Sequence, residues 1–317
     1  MPVPSASAPR ILILLAAHNG AEFIAEQLDS VLAQEGVDVE VVVSDDASTD
    51  GTDAVLDGYA DDPRVRRLRP GRFGSAAANF FRLVRECDAE GFDAVGFCDQ
   101  DDVWAPHKLR RHWELLSLPN GLDGRGGYDA VSSNVTAFDA AGERRLIVKN
   151  QLQRACDYAF ESGGPGSTFL LRPSTYRLLR ERLLDPGSAA SSTRAHDWLA
   201  YALVRAAGGR WFIDGESTVD YRQHDVNVLG ANEGLRSNLR RLQQIAKGAH
   251  RADARRIVAA AREVAAPDEA ARLEWLAARI DERGPLSRLR LARRVGDFRR
   301  RRRDQLALAG TLLAGLW

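Results

Sequence analysis

The chain has 317 residues, of which 44% are hydrophobic and 28% are charged, a composition typical of a soluble globular protein that can bury a sizeable core. The three cysteines (Cys87, Cys98 and Cys156) show no metal-ligand spacing, and their odd number argues against a disulfide framework, so a reducing cytoplasm fits. The N-terminus lacks a charged n-region and no stretch reaches the roughly 18–20 apolar residues that cross a bilayer, so we predict neither a signal peptide nor a transmembrane helix.

The formal net charge is zero, but the charge is unevenly distributed along the chain. Residues 1–235 carry 24 Lys and Arg against 35 Asp and Glu, a net charge of −11, whereas residues 236–317 carry 20 against 9, a net charge of +11. We therefore predict an acidic domain over residues 9–235 and a basic helical region over residues 236–317. Such an asymmetry indicates that the basic region contacts an anionic partner.

The first half of the chain alternates predicted strands with predicted helices. Strands are predicted at 11–17, 37–43, 65–68 and 94–98, and helices at 23–34, 52–59, 76–86 and 106–116. Ser48 or Thr49 is expected to cap the second helix. Because this alternation produces right-handed crossovers, it predicts a mostly parallel sheet. The first strand lacks the Gly-x-Gly-x-x-Gly fingerprint, which argues against an ordinary dinucleotide site.

The pattern is looser after residue 121. Short strands are predicted at 128–135, 145–148, 168–171, 211–214 and 217–221, and helices at 173–184 and 194–207. A Gly-rich loop, Gly163–Ser167, precedes the third of these strands. Beyond Leu235, Ala, Arg and Leu recur at helical spacing and predict two to four helices.

Three polar clusters directly follow predicted strands, namely His18-Asn19, Asp45-Asp46 and Asp99–Asp102. Because ligands of open α/β sheets bind at the carboxyl ends of strands, we expect these clusters to meet on one rim. Asp99 and Asp101 alternate, so on an extended segment they point the same way and could share Mg²⁺ or Mn²⁺. The alternatives are a solvated acidic turn for this cluster and turn or cap chemistry for Asp45-Asp46.

Later motifs offer a base, a phosphate contact and a basic surface. Asp197, in His196-Asp197-Trp198, is a candidate general base, or else an acidic residue that interacts with the helix dipole. Arg222 could pair with phosphate, and His224 could bind a metal or phosphate or be structural. Arg299–Arg303 precedes a Leu-rich segment, which favours anionic lipid headgroups over nucleic acid; a solvated helix end is the alternative.

Five motifs, in this order, resemble inverting glycosyltransferases of family 2, and most of all the rhamnosyltransferase-like members that decorate bacterial surface polysaccharides. The motifs are Ala-Ala-His-Asn-Gly-Ala-Glu-Phe-Ile (16–24), Ser-Asp-Asp-Ala-Ser-Thr-Asp-Gly-Thr (44–52), Asp-Gln-Asp-Asp-Val-Trp (99–104), His-Asp-Trp (196–198) and Tyr-Arg-Gln-His (221–224). The resemblance covers about residues 9–232. It departs from the family at His18, where members often carry Tyr.

The resemblance implies an α/β protein of the GT-A fold, a Rossmann-like, mostly parallel sheet flanked by helices, with a C-terminal α-helical appendage. It also implies a role for each motif residue. Ala17, Asn19 and Glu22 would line the nucleotide pocket, and Asp45 and Asp46 would contact the base. Asp99 and Gln100 would bind the donor, Asp101 and His224 the metal and diphosphate, and Arg222 the diphosphate. Asp197 would be the catalytic base, and the loop Gly164–Ser167 would lie near the acceptor.

The implied activity is an inverting, metal-dependent transfer of a sugar, with rhamnose as one candidate, from a dTDP- or UDP-sugar. The acceptor would be a hydroxyl of a cell-surface polysaccharide or a lipid-linked oligosaccharide, and the cofactor Mg²⁺ or Mn²⁺. The protein would be cytoplasmic, with peripheral contact at the inner face of the plasma membrane and no nucleic-acid partner.

Two other functions remain open from the sequence. Asp99–Val103 also fits the Asp-x-Asp-x-Val pattern of haloacid-dehalogenase-type phosphatases, although their nucleophile normally follows the first strand. A non-catalytic protein that binds nucleotide sugars is the second alternative.

Overall fold

One mixed sheet organises the protein, whose computed structural model describes residues 7–223, 249–282 and 284–317. Its strands are β1 (Arg10–Ala17), β2 (Asp38–Asp45), β3 (Val65–Arg67), β4 (Ala94–Cys98), β5 (Val103–Trp104), β6 (Ala130–Phe138), β7 (Arg144–Ile147), β8 (Leu170–Leu171) and β9 (Trp211–Arg222). The order across the sheet is β3-β2-β1-β4-β8-β6-β9-β5, and β7 pairs with β6. Strands β1 to β4 are mutually parallel where they pair, and β8 is antiparallel to both β4 and β6.

Helices cover both faces of this sheet and continue into the C-terminal region. They are α1 (Ile24–Leu32), α2 (Thr52–Asp57), α3 (Ala76–Glu86), α4 (Lys108–Ser117), α5 (Pro173–Leu184), α6 (His196–Ala206), α7 (Ala249–Arg262), α8 (Pro267–Asp281), α9 (Pro285–Ala292), α10 (Val295–Phe298) and α11 (Arg302–Leu313). Because helices lie on both faces, β1 is buried from Ile11 to Ala17, which explains its uninterrupted apolar sequence.

Three local predictions are wrong. The two strands predicted at 211–214 and 217–221 form the single strand β9, because register shifts opposite β6 accommodate the residues between them. Neither Ser48 nor Thr49 caps α2. The residue at the N-cap position is Gly51, which has a φ of 97°. The described part of the C-terminal region contains five helices rather than two to four.

The C-terminal helices share a hydrophobic core with the sheet domain. One cluster of buried side chains joins Phe80, Phe97 and Tyr201 of the domain to Ile257, Leu276, Phe298 and Trp317. The boundary predicted near residue 235 lies outside the described residues, and the two-domain division remains a prediction. In the described ranges, none of the helices has the length and apolar character that crossing a membrane requires.

Candidate active site

The carboxyl ends of β1, β2 and β4 form one rim, and the three predicted polar clusters meet there. The strand registers place Ala17 beside Asp45 and Leu15 beside Cys98. The backbone N–H of Asp46 donates to the carbonyl of buried Ala17 at 2.8 Å. The rim is therefore built by backbone pairing and not by the polar side chains alone.

Gln100 joins the ends of β4 and β1. Its Oε1 accepts from the backbone N–H of His18 at 2.7 Å, and its Nε2 donates to the carbonyl of the same residue at 2.9 Å. A Cβ at Gly20 would lie 2.4 Å from Oε1 of Gln100, so this close approach requires glycine. Gln100, predicted to bind the donor, thus holds the loop after β1 in place.

The loops after β1 and β2 are tied together through Asn19. Its backbone N–H donates to Oγ of Ser48 at 2.8 Å, and its Oδ1 accepts from the N–H of Thr49 at 2.8 Å. Asn19 has a φ of 50°, a left-handed conformation that asparagine tolerates. Glu22 is exposed in the turn before α1. Glu26, which the sequence did not single out, lies on α1, and its carboxylate accepts a hydrogen bond from Arg222.

Asp45 and Asp46 are buried, and both carboxylates are hydrogen-bonded within loops. Asp45 accepts from the N–H and the hydroxyl of Ser48, the former at 3.1 Å. Asp46 accepts from the backbone N–H of Phe73 and from that of Gly74, the latter at 2.8 Å. The bonds of Asp45 are the turn chemistry named as the alternative, whereas those of Asp46 tie the end of β2 to the loop before α3. Contact with a nucleotide base remains a prediction for both residues.

Asp99, Asp101 and Asp102 concentrate negative charge directly after β4. Burial, together with the nearby carboxylates of Asp101 and Asp197, raises the pKa of Asp99 to about 7. Burial also raises the pKa of Asp102 well above its usual value, with Asp101 and Asp99 adding to the effect. Each negatively charged carboxylate makes ionisation of the others more costly. A cation bound among them would relieve this repulsion, so the cluster favours cation binding.

Arg222, at the end of β9, holds this acidic segment. Its backbone N–H donates to Oδ1 of Asp102 at 3.2 Å, and its Nε donates to the carbonyl of Asp101 at 2.8 Å. Its Nη2 donates to Oε2 of Glu26 at 2.5 Å, and the guanidinium lies 4.6 Å from the ring centroids of Phe23 and Phe138. Asp102 therefore anchors β9 to the acidic segment, a role that the sequence did not indicate.

Asp197 stands in the first turn of α6, beside the Gly-rich loop. Its Oδ1 accepts from the N–H of Trp198 at 2.7 Å, and the Ser162 hydroxyl interacts with the carboxylate. Burial raises the pKa of Asp197, which strengthens it as a base, while Lys149 opposes the shift. Asp197 is close enough to Asp99 to raise the pKa of that residue, so the predicted base faces the acidic cluster.

His196 fixes the start of α6 from within the core. Its ring stacks on Phe80 with centroids 3.7 Å apart and meets Phe97 edge-on at 5.3 Å. A Cβ at Gly166 would lie 2.2 Å from Nε2 of His196, so the Gly-rich loop can approach α6 only with glycine there. Because Ser167 lies beside Asp102, the loop runs between the acidic cluster and the proposed base.

The residues present fit a divalent cation only together with a substrate. Carboxylate oxygens are the ligands that Mg²⁺ and Mn²⁺ prefer, and diphosphate oxygens commonly complete the set. In the described ranges, three His, Cys, Asp or Glu side chains are nowhere grouped closely enough to hold a metal ion. His224, the other predicted ligand, lies outside the described residues.

Two further features of the site escaped sequence reasoning. Trp104 is buried, and Nζ of the buried Lys108 lies 3.4 Å from the centroid of its ring; burial lowers the pKa of Lys108 to about 7. Arg300, from the basic run, is buried beside Glu161 and Ser162. A buried lysine and a buried arginine run contrary to composition-based expectation, and no local sequence signal marks them.

Comparisons with known proteins indicate the family of this chain. A model of glycosyl transferase family 2 matches residues 12–176. The dTDP-rhamnosyl transferase RfbG of Shigella flexneri is 34% identical over 231 residues, which are 72% of this chain and 78% of that protein. The succinoglycan biosynthesis protein ExoO of Rhizobium meliloti is 39% identical over 144 residues, 45% of this chain and 40% of that protein.

Solved structures share the fold at low sequence identity. Staphylococcus aureus TarS 1-349 in complex with UDP has a TM-score of 0.55 at 15% identity, and the match covers 86% of this chain and 70% of TarS. The mannosyltransferase PcManGT of Pyrobaculum calidifontis, in complex with GDP-Man and Mn²⁺, has a TM-score of 0.50 at 19% identity, and the match covers 99% of this chain and 88% of PcManGT.

Fold and sequence together define a glycosyltransferase with the GT-A fold. The chain belongs to glycosyl transferase family 2, and its sequence is rhamnosyltransferase-like. The phosphatase alternative is therefore wrong, in keeping with the placement of Asp99 after β4 and not after the first strand. The same assignment argues against the other alternative, a non-catalytic protein that binds nucleotide sugars.

Proposed function

We propose that the chain is an inverting, metal-dependent glycosyltransferase that moves a sugar from a dTDP-sugar to a hydroxyl of a cell-surface glycan or lipid-linked oligosaccharide. The observation that carries the proposal is the position of Asp197, which faces the acidic cluster across the Gly-rich loop. The relative named as a dTDP-rhamnosyl transferase makes dTDP-rhamnose the first donor to test. UDP-sugars come second, because the structural neighbour TarS was solved with UDP.

Asp197 would take the proton of the acceptor hydroxyl as its oxygen attacks the anomeric carbon. Base catalysis of this kind contributes about 10²–10⁴-fold to the rate. The raised pKa of Asp197 suits it to accept a proton, and its bond from Trp198 N–H holds the carboxylate in one orientation. Attack from the face opposite the departing nucleotide inverts the anomeric configuration and needs no protein nucleophile.

The acidic cluster and Arg222 would manage the charge of the departing nucleoside diphosphate. Mg²⁺ or Mn²⁺, held by Asp101 with Asp99 beside it and with His224 as a further candidate ligand, would neutralise developing charge on the diphosphate. Arg222 holds the backbone of Asp101 in place and adds positive charge nearby. Ala17, Asn19, Glu22, Asp45, Asp46 and Gln100 form or frame the proposed nucleotide pocket.

The test is release of nucleoside diphosphate from dTDP-rhamnose and from UDP-sugars by the wild-type protein and by Asp197→Asn. We expect kcat to fall about 10²–10⁴-fold in the variant, with the donor KM nearly unchanged. Asp185→Asn, at a carboxylate outside the site, is the matched control. Transfer at the wild-type rate by Asp197→Asn would refute the base assignment. Activity that persists in chelator and does not respond to Mg²⁺ or Mn²⁺ would refute metal dependence.

We also propose that the C-terminal region contacts an anionic membrane surface at the cytoplasmic side. Exposed leucines lie on and just after α9 and α11, namely Leu286, Leu289, Leu306, Leu313 and Leu316. Arg302 and Arg303 are exposed next to them. Apolar side chains flanked by basic residues are typical of helices that lie in the membrane interface.

A further inference from the structure

The C-terminal basic run reaches the proposed catalytic base. The N–H of Arg300 donates to Oε1 of Glu161 at 2.7 Å, and its Nη2 donates to the carbonyl of Ser162 at 2.5 Å. Ser162 is also the residue whose hydroxyl interacts with Asp197. Arg300 and its neighbours are therefore part of the wall beside Asp197, although they lie about one hundred residues further along the chain.

Lys149 lies beside this run, just after β7. Its backbone N–H donates to Oδ1 of Asn134 at 2.6 Å, which fixes its position against β6. The carbonyl of the preceding residue, Val148, accepts a hydrogen bond from Nη2 of Arg301. Burial and the charges of Arg300 and Arg301 lower the pKa of Lys149 to about 8, while Glu161 and Asp197 are close enough to act on it in the opposite direction.

Lys149, Arg300 and Arg301 lie close together in this wall, and the carboxylates of Glu161, Asp157 and Asp197 lie among them. Arg300 lies 3.5 Å from Glu161 and 3.9 Å from Asp157. Within the described ranges, neither Lys149 nor Arg301 forms an ion pair with a carboxylate. Two neighbouring cations repel each other, and partial burial strengthens the repulsion. Glu161 offsets part of this repulsion for both Lys149 and Arg301, and an anion bound directly between the two would offset more of it.

A buried donor in the same wall lacks a partner. The side chain of Arg300 is 1% exposed, yet its Nη1 has no hydrogen-bond partner among the described residues. Buried guanidinium donors are normally satisfied, because an unpaired one carries a desolvation cost. An anion between Lys149 and the basic run would offer acceptor oxygens to such donors.

We infer that Lys149 and Arg301, supported by Arg300, form an anion-binding subsite beside Asp197 that holds a phosphate group of the acceptor. Phosphate fits better than carboxylate because it presents more acceptor oxygens, and Lys149 and Arg301 both carry donors that no carboxylate of the described residues pairs with. The subsite rests on the proposed function in one respect: it assigns the anion to the acceptor because Asp197 is the proposed base. It would place the receiving sugar next to the carboxylate that deprotonates it.

The test is equilibrium dialysis of radiolabelled inorganic pyrophosphate against protein whose donor site is saturated with dTDP. We expect one further bound pyrophosphate per chain, with a Kd that rises about tenfold in Lys149→Gln and in Arg301→Gln. Arg302→Gln, an exposed arginine in the same run, is the matched control and should bind as the wild type does. No binding beyond the donor site, or equal weakening in all three variants, would overturn the subsite.

Competition with pyrophosphate distinguishes the two sources of the phosphate. Stronger competition by decyl phosphate would support a lipid-linked phosphate, and stronger competition by glucose 1-phosphate would support a glycosyl phosphate. The assay requires no sugar transfer, so its outcome is separate from that of the transfer assay. Asp197→Asn should lose transfer and retain pyrophosphate binding.

Discussion

Gln100 makes both hydrogen bonds of its side-chain amide to the backbone of a single residue, His18, at 2.7 and 2.9 Å. The two residues are 82 positions apart in the sequence, and the two bonds hold the ends of β4 and β1 at a fixed distance from each other. The amide thus sets the geometry of the rim on which the nucleotide pocket is proposed. Its two contacts position the loop after β1, which the Asp-x-Asp pattern alone would not indicate, and donor binding by Gln100 stays a prediction.

We expect Gln100→Leu to raise the donor KM about tenfold and to lower the free energy of unfolding by about 2 kcal/mol, because two hydrogen bonds are lost. Gln100→Glu keeps the acceptor oxygen but loses the donor, and should have an intermediate effect. Steady-state kinetics and urea unfolding provide the two measurements. An unchanged KM in both variants would show that the loop after β1 is held by other contacts.

Arg222→Lys should weaken the apparent affinity for Mn²⁺ about tenfold. Lysine keeps the charge but cannot donate to the Asp101 carbonyl and to Glu26 in the geometry of a guanidinium. The measurement is transfer rate against Mn²⁺ concentration at saturating donor. Arg144→Lys, at an exposed arginine paired with Asp220, is the control, and an equal shift in both variants would contradict the assignment.

Gly166→Ala should lower the free energy of unfolding by about 1–3 kcal/mol and reduce kcat more than tenfold. The added Cβ would lie 2.2 Å from Nε2 of His196, so α6 and Asp197 must shift. Gly310→Ala, with no atom within 4 Å of the added Cβ, is the control and should be neutral or slightly stabilising. Wild-type kcat in Gly166→Ala would show that the loop adapts without moving the base.

Protonation of His196, whose pKa burial lowers to about 3, should cost the protein stability at acidic pH. Between about pH 6.5 and 3 the unfolded chain binds a proton at this position and the folded chain does not, so the contribution of His196 to the free energy of unfolding falls as the pH falls. From pH 7.5 to 5, the loss attributable to His196 is about 2 kcal/mol. His250, with a pKa lowered to about 4 by burial, contributes in the same direction.

Urea unfolding at pH 7.5 and 5 checks this. His196→Phe removes the titrating group while keeping an aromatic ring against Phe80, and should lose less stability than the wild type between the two pH values. Leu122→Ser, at an exposed leucine that does not titrate, should follow the wild type. Identical pH dependence in His196→Phe and wild type would contradict the prediction.

Membrane contact is best tested by surface substitutions. Removing residues 286–317 would also delete Phe298, Leu308 and Trp317 from the core, so a truncated chain could fail for structural reasons. We expect replacement of Leu286, Leu306 and Leu313 by Ser to reduce flotation with anionic liposomes severalfold. Leu122→Ser and Leu152→Ser, at exposed leucines of the sheet domain, should not change it. Equal recovery of all variants would refute the contact.

The sequence by itself determined the alternation of strands and helices and the meeting of three polar clusters on one rim. These follow from local apolar periodicity and from the rule that parallel strands end at the same edge. The predicted bounds of α3, β4 and α5 match the structure. The family resemblance added the expected roles, with Asp197 as the base.

Only the tertiary structure decided which groups these side chains contact. It placed the carboxylate of Asp46 against the N–H groups of the loop before α3, brought Glu26 to Arg222, and buried Arg300 in a run that composition predicted to be exposed. The physical reason is that these contacts join residues from 28 to 196 positions apart. The energies of these contacts depend on burial and on the partner that packing supplies, and neither can be predicted from the local sequence.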